Sequence, residues 1–340
     1  MKPIILPDGR VNYGVFDEPL NFNFHDFVVR DFFGKPVGTL KKRFTFHAFN
    51  YLGIVTPDWL IGIAAVDLGY LHTVFAYLYR FGKGMDFSYD TKGPGSGRLV
   101  LPPNPDQYSI SFEAKKTRLA INKSHPGKLL ELDADFKGRL KVRARADYSM
   151  ESHNPLRVLN PSEPFRFTFT EKCSPIACRE LSVSLDGKDI TPALGDATIL
   201  YDWSGGYMRR ETNWLWAAFS GLDAGGKIPV GANFAALVNE AYFSENAFWV
   251  DNDRTRVTRA IFDLNLFEPY KPWRLWDEAG TVDISFTPEN ERGEKVNAKI
   301  LKTFFRQFFG TFEGTLAPSG KKPVKLKNMR GLTEIHKALW

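Results

Sequence analysis

In Lys141-Val142-Arg143-Ala144-Arg145-Ala146, charged and apolar residues alternate without interruption. A period of two places the two sets on opposite faces of an extended strand, whereas a helix needs apolar residues three and four apart. Shorter versions of the pattern recur from Arg43 onward, among them Arg43 to Tyr51, Trp59 to Val66, Leu71 to Arg80, Met85 to Asp90, Tyr108 to Ala114, Thr117 to Asn122 and Lys128 to Phe136. Turn signals separate them: Asp67-Leu68-Gly69, Asp186-Gly187 and Gly225-Gly226 each offer residues that tolerate positive φ. A helix over Trp59 to Tyr79 is the competing reading, and Gly62, Gly69 and the β-branched and aromatic residues count against it. The 29 phenylalanines point the same way, and the expected fold class is all-β, antiparallel, with few short helices.

Met1 to Lys42 is rich in Pro, Gly, Asn and Phe with no sustained period, and is expected to wrap the surface. Ser149 to Pro164 gathers chain breakers and reads as a long loop or linker, while Leu332, Ile335, Leu339 and Trp340 have the spacing of a short terminal helix. The expected division is a wrapping segment over 1–42, a first β-barrel domain over 43–190 and a second over 191–340.

The densest chemistry lies in Leu200 to Phe219, LYDWSGGYMRRETNWLWAAF. Gly205-Gly206 reads as a tight connection between two strands. On the second strand Trp214 and Trp216 share a face with Thr212, and Asn213 points the other way. Asp202 and Glu211 are candidate acid-base groups, since apolar walls raise a carboxyl pKa into the working range. The bland alternative is that Arg209 or Arg210 pairs with them to hold the turn. Trp203, Trp214, Trp216 and Trp249 are candidate walls of an apolar pocket, with core packing the simpler account of any single ring. Glu245 and Asn246 stand at a polar-apolar junction, as Asn239-Glu240 does before them. Glu245 and Asn246 complete the candidate ligand-binding set with Arg209, Arg210 and Asn213, a turn residue bonding its own backbone being the simpler account of Asn246.

The net charge of +6 admits anionic partners, but the basic runs Lys41 to Arg43, Lys137 to Arg145 and Lys321 to Lys327 alternate with apolar residues, as solvated strand faces do. No nucleic-acid partner is expected. Cys173 and Cys178 lack the further ligands of a zinc site and read as free thiols of a cytoplasmic protein. The six histidines, at 25, 47, 72, 125, 153 and 336, form no ligand pair in sequence, so no metal or other cofactor is expected. Only His72 is a candidate for catalysis. The longest apolar region, Trp59 to Phe81, is broken by Asp67, His72 and Arg80, so no membrane span is expected. Composition and motifs leave the oligomeric state open.

Asp202-Trp203-Ser204-Gly205-Gly206, Arg210 to Trp216, Glu245 to Asp251 and the closing Phe309-Gly310-Thr311-Phe312-Glu313-Gly314-Thr315-Leu316 together resemble the bacterial domain of unknown function 2804 family, over roughly Lys42 to the C-terminus. More distantly, the order of strands around Asp202-Trp203 is similar to the double-barrel calycin group, which includes hydratases of the hydroxyneurosporene synthase type and lipocalin-like proteins. That resemblance implies two lipocalin-like barrels and an apolar ligand. The expected function is binding of a hydrophobic, lipid- or terpenoid-like small molecule, with metal-free hydration or isomerisation as the attendant chemistry. The alternative is a non-enzymatic binding or scaffold module acting through an aromatic surface.

Overall fold

The computed structural model describes residues 1–239, 242–298 and 301–340. Three antiparallel sheets dominate it. The first has eight strands in the order Gly14–Val15, Leu156–Glu163, Arg166–Ala177, Thr198–Tyr207, Phe46–Val55, Trp59–Asp67, Leu71–Arg80 and Gly84–Pro94. A seven-stranded sheet, running from Lys188–Asp189 through Glu180–Leu185, Leu140–Ala146, Leu129–Phe136, Thr117–Ser124 and Gln107–Ala114 to Leu99–Val100, packs on one face of it. Their shared core includes Leu52, Ile54, Ile61, Ile63, Ile121 and Leu132. The third sheet has nine strands, from Asp253–Arg256 through Ala247–Val250, Pro229–Ala236, Glu211–Leu222, Val324–Leu339, Leu301–Leu316, Val282–Ala298 and Trp273–Trp276 to Ile261–Asp263. It closes around its own core of Phe219, Phe234, Phe286, Phe308 and Phe312. Helices are short, Thr39–Thr45 and Met150–His153 being the α-helical segments among the described residues.

The eight-stranded sheet is covered on both faces. Tyr51, Leu60, Ala64, Tyr77 and Tyr79 point away from the first core and meet Trp216, Phe309 and Leu332 of the nine-stranded sheet. This explains why Trp59 to Val66 reads as a continuous apolar run: a strand buried on both sides has no wet face to alternate with. Where one face is wet, alternation survives. Arg143 and Arg145 stand outward on Leu140–Ala146, 3.6 Å from Asp133 and Glu131 of the neighbouring strand.

Several expectations are corrected. Gly205-Gly206 is no turn but lies inside Thr198–Tyr207, paired to Ala48 and His47. A Cβ at Gly205 would fall 2.5 Å from the Trp203 ring, and one at Gly206 2.3 Å from the Phe167 carbonyl oxygen, so close packing excludes a side chain at both. The change of sheet falls after Tyr207, because Thr198–Tyr207 belongs to the first sheet and Glu211–Leu222 to the third. The expected boundary at 190/191 therefore cuts through the first sheet. Leu332 to Trp340 is not helical: Val324–Leu339 is a strand bonded on both sides, to Glu211–Leu222 and Leu301–Leu316, and two ladders outweigh a weak helical spacing. Ser149 to Pro164 contains the strand Leu156–Glu163. Pro161 is tolerated there because it adjoins a bulge, and the strand's other neighbour pairs only with Val158 and Leu159. The turns at Asp67-Leu68-Gly69 and Asp186-Gly187 form as expected, Gly69 with φ +78° and Asp186 and Gly187 with φ +50° and +78°.

Candidate functional site

A cavity of about 380 Å³ lies where the outer face of the eight-stranded sheet meets the nine-stranded sheet. One wall comes from Phe49, Tyr51, Ala64, Val66, Thr73 and Phe75, the other from Trp214, Trp216, Ala235, Thr303, Phe305 and Trp340. Alternation in each strand selects these residues. Asp202 and Ser204 face the cavity, while Tyr201 and Trp203 between and beside them face the first core.

Five carboxyl-bearing residues line this largely apolar space, Asp90 and Glu294 together with Asp202, Glu245 and Glu334. Asp202 stands directly opposite Lys172 in the ladder and forms an ion pair with it, and it also accepts from the Ser204 hydroxyl at 3.2 Å. Glu245 is held by Asn239, whose Nδ2 donates to its Oε1 at 2.8 Å. Its backbone carbonyl accepts from Asn233 at 2.6 Å, and Asn233 in turn accepts from the Trp216 indole at 2.7 Å. Burial raises the Glu245 pKa, against the opposing pull of the Lys172 ammonium and the Asn239 hydrogen bond. Glu334 accepts from Trp214 Nε1 at 2.9 Å and from Gln307 Nε2 at 2.7 Å. Burial lifts its pKa to about 7, although those two donors and Arg292 favour the charged form. Glu334 thus divides between acid and carboxylate near neutral pH, which suits a group that passes a proton. Next to it, burial lowers the His336 pKa to about 3, so that imidazole is neutral.

Among the described residues, six buried polar atoms without a hydrogen-bond partner belong to residues that line the cavity: Asn50 Oδ1, Ser162 Oγ, Arg209 Nε, Arg292 Nη1, His336 Nδ1 and Trp340 Nε1. Buried polar groups in folded proteins are nearly always satisfied, and exceptions gather where water or a ligand supplies the missing partner.

The model of a domain of unknown function, DUF2804, matches residues 3–340. The chain belongs to the DUF2804 family. No curated protein matches it. Among solved structures, CghA in a crystal with Sch210972 is similar with a TM-score of 0.52 at 9% identity, covering 87% of this chain and 89% of that one. Kievitone hydratase from Nectria haematococca is similar with a TM-score of 0.50 at 12% identity, covering 85% and 88%. At such identities the likeness is one of fold.

In this DUF2804 chain the cavity brings together Asp202, Arg209, Trp214, Trp216 and Glu245 of the expected set. The others stand elsewhere. Glu211 is exposed and 3.4 Å from Lys337, while His72 points into the first core with Nδ1 2.9 Å from the Gly95 carbonyl oxygen. Strand parity accounts for His72, since its neighbours Leu71 and Thr73 are the ones that line the cavity. Trp203 is fully buried in the first core, and Trp249 packs with Leu156 and Val158 while donating to the Asn154 carbonyl at 3.0 Å. Asn246 is structural, accepting from the Ala235 amide at 2.6 Å. Asn213 and Arg210 are outside the lining residues, and Glu240 lies outside the described residues. The pairing expected between Arg209 and the acids does not form: its Nη2 donates to the carbonyls of Leu237 and Val238, both at 3.1 Å. Sequence reasoning missed Lys172, Arg292, Glu334 and His336. The available signal was Glu334 and His336 two apart in an otherwise amphipathic segment, which the helical reading of that segment hid.

A second polar cluster is sealed inside the first core. Glu171 accepts from Lys123 at 2.6 Å, Tyr148 at 2.9 Å and His125 at 3.1 Å, and Arg157 Nε lies 3.1 Å from its other oxygen. Asp106, His125 and Glu171 place potential ligand atoms within 4.8 Å of one another. Lys123 and Arg157 already supply the positive charge there, and a divalent ion would be repelled by both. The donor set fits an ion-pair network better than a metal centre.

Proposed function

We propose that the chain binds an apolar or amphiphilic small molecule in the cavity between the eight- and nine-stranded sheets and acts on it by acid-base chemistry such as hydration or isomerisation. The observation that carries the reading is Glu334, a buried carboxyl held by Trp214 and Gln307 in an apolar cavity whose lining also includes Asp202 and Glu245, with burial pushing its pKa up to about 7. Protonated Glu334 can donate to an alkene carbon or carbonyl oxygen. Asp202 or Glu245 can take a proton from water or from an adjacent carbon, so that the net proton count is conserved. The volume is within the ~300–1,000 Å³ typical of small-molecule sites. The likeness in fold to kievitone hydratase, a hydratase by name, supports the same class of chemistry. Trp203 and Trp216 are buried and Trp214 is half-buried against the cavity, so the alternative of an aromatic docking surface gains nothing from these rings.

Binding is tested with 1-anilinonaphthalene-8-sulfonate, whose fluorescence rises on entering apolar sites. Ala64→Phe and Ala235→Trp each fill the cavity and are expected to abolish the signal while leaving the circular dichroism of the protein unchanged. An undiminished signal in both folded variants would place the probe elsewhere and remove the reading. Chemistry is tested by incubating apolar cyclic enones with the protein in D₂O. Deuterium incorporation above the buffer rate, lost in Glu334→Gln, is expected; uptake no faster than buffer across the panel would reduce the protein to a binder.

A further inference from the structure

Arg292 lies on the strand Val282–Ala298, which with Leu301–Leu316 forms a long ribbon reaching over the edge of the eight-stranded sheet. Its guanidinium carbon sits 4.3 Å from the Phe75 ring centroid, 4.9 Å from Tyr77 and 5.4 Å from Phe305. Three rings fix the side chain and fill its faces, leaving the edge donors to find acceptors. The side chain is 14% exposed, and Nη1 is buried without a partner. Nη2 has Asp90 Oδ1 at 3.6 Å, too far for a hydrogen bond, and Asp90 is itself 46% exposed.

The other cations on the wall are engaged. Lys92 pairs with Glu294, Lys172 with Asp202, and the Arg209 fork is tied to two carbonyls. Arg209 keeps one unpartnered nitrogen, Nε, whereas no nitrogen of Arg292 has a hydrogen-bond acceptor among the described residues. From Phe75 the lining continues through Val66, Leu68 and Leu71, an aliphatic track beside the charged end.

We propose that Arg292 anchors a carboxylate of the bound molecule, so that the ligand is an apolar body carrying one anionic end. The inference rests on the preceding reading of the cavity and narrows it to a substrate class. A monoanion suits the site better than a phosphate, because Asp90, Glu294 and Glu334 line the same cavity and would repel a second negative charge. A carboxylate can take the unpartnered Nη1 and a second guanidinium hydrogen side by side, as the arginine fork allows. Held there by Arg292, the chain would lie along the aliphatic track.

Isothermal titration with decanoate and decan-1-ol, which share an apolar body, separates the anchor from the cavity. Decanoate is expected to bind wild-type protein about tenfold or more tightly than the alcohol, the effect of one charge-assisted contact. Arg292→Gln should remove that preference and leave alcohol binding within about twofold. Arg292→Lys, which keeps the charge and loses the fork, should retain part of it and covers the case in which the Gln variant does not fold. Equal binding of acid and alcohol by wild-type protein, or a preference that survives in folded Arg292→Gln, would overturn the anchor while leaving the cavity reading intact. Binding of neither molecule would overturn both.

Discussion

Trp214 donates its indole hydrogen to Glu334 at 2.9 Å, a bond that runs diagonally between neighbouring strands, since Trp214 stands opposite His336 in the ladder and Trp216 opposite Glu334. The diagonal puts a donor on one carboxyl oxygen while Gln307 donates to the other. Gln307 Oε1 has no partner, so turning that amide over lets it accept from the protonated acid. The same two neighbours can therefore bond Glu334 in either protonation state.

Glu334 makes stability depend on pH in a defined direction. Its pKa is raised from 4.5 to about 7 in the folded protein, so between those values the fold keeps a proton that the unfolded chain has released. Stability contributed at this position is full below pH 4.5, falls as pH climbs toward 7 and is level above. The loss amounts to roughly 3 kcal/mol. Urea unfolding of wild type and Glu334→Gln at pH 4.5 and pH 8 checks this: the variant should gain on wild type at the higher pH. A constant difference would mean that the carboxyl ionises normally.

Trp214→Phe removes a donor that favours the charged form and should move the Glu334 midpoint upward, by about 1 unit for one hydrogen bond to a carboxylate. The carboxyl carbon resonance of Glu334, followed by NMR from pH 5 to 9, reports the midpoint directly. In the wild type the Trp214 indole resonance should inflect at the same pH, because the two groups share the bond.

Lys172 and Asp202 form a pair in which each depends on the other. Lys172→Met would leave Asp202 without its cation on an apolar wall and is expected to cost about 3–5 kcal/mol, whereas Lys172→Met with Asp202→Asn should recover much of that. A urea-unfolding double-mutant cycle measures the coupling. Additive losses would show that the two side chains are independently solvated.

How much of this was legible depended on whether a residue's role was written in its own neighbourhood. Lys141 to Ala146 announces a strand because the alternation is local, and the turns at Gly69 and Gly187 do so through positive φ. Trp214 and Trp216 could be placed on one face by parity alone. Parity could not say which of two buried faces was a core and which a cavity, and hence Trp203, one residue from Asp202, fell on the wrong side. Glu334 and Arg292 become site residues through partners 120 and about 200 positions away, Trp214 for the first and Phe75 and Tyr77 for the second. No spacing rule reaches that far. Asp202 pairs with Lys172 rather than Arg209 for the same reason: the cross-strand neighbour is set by register, and the sequence neighbour points elsewhere.

The Glu171 cluster supplies a contrast in sign. Burial alone would raise the Glu171 pKa, but Lys123, His125 and Arg157 outweigh it and hold the carboxyl well below its ordinary value. A depressed pKa contributes stability that is present above the unfolded value of 4.5 and lost as pH falls below it. Glu171→Gln leaves Lys123 and Arg157 buried without their shared counter-charge and should cost about 3–5 kcal/mol at pH 7. Below pH 4.5 the gap from wild type should narrow, the opposite of the behaviour at Glu334. Since Glu171 faces the first core while its neighbour Lys172 faces the cavity, folded Glu171→Gln should bind 1-anilinonaphthalene-8-sulfonate as wild type does. Lost binding in the folded variant would show that the two faces of the strand Arg166–Ala177 are energetically coupled.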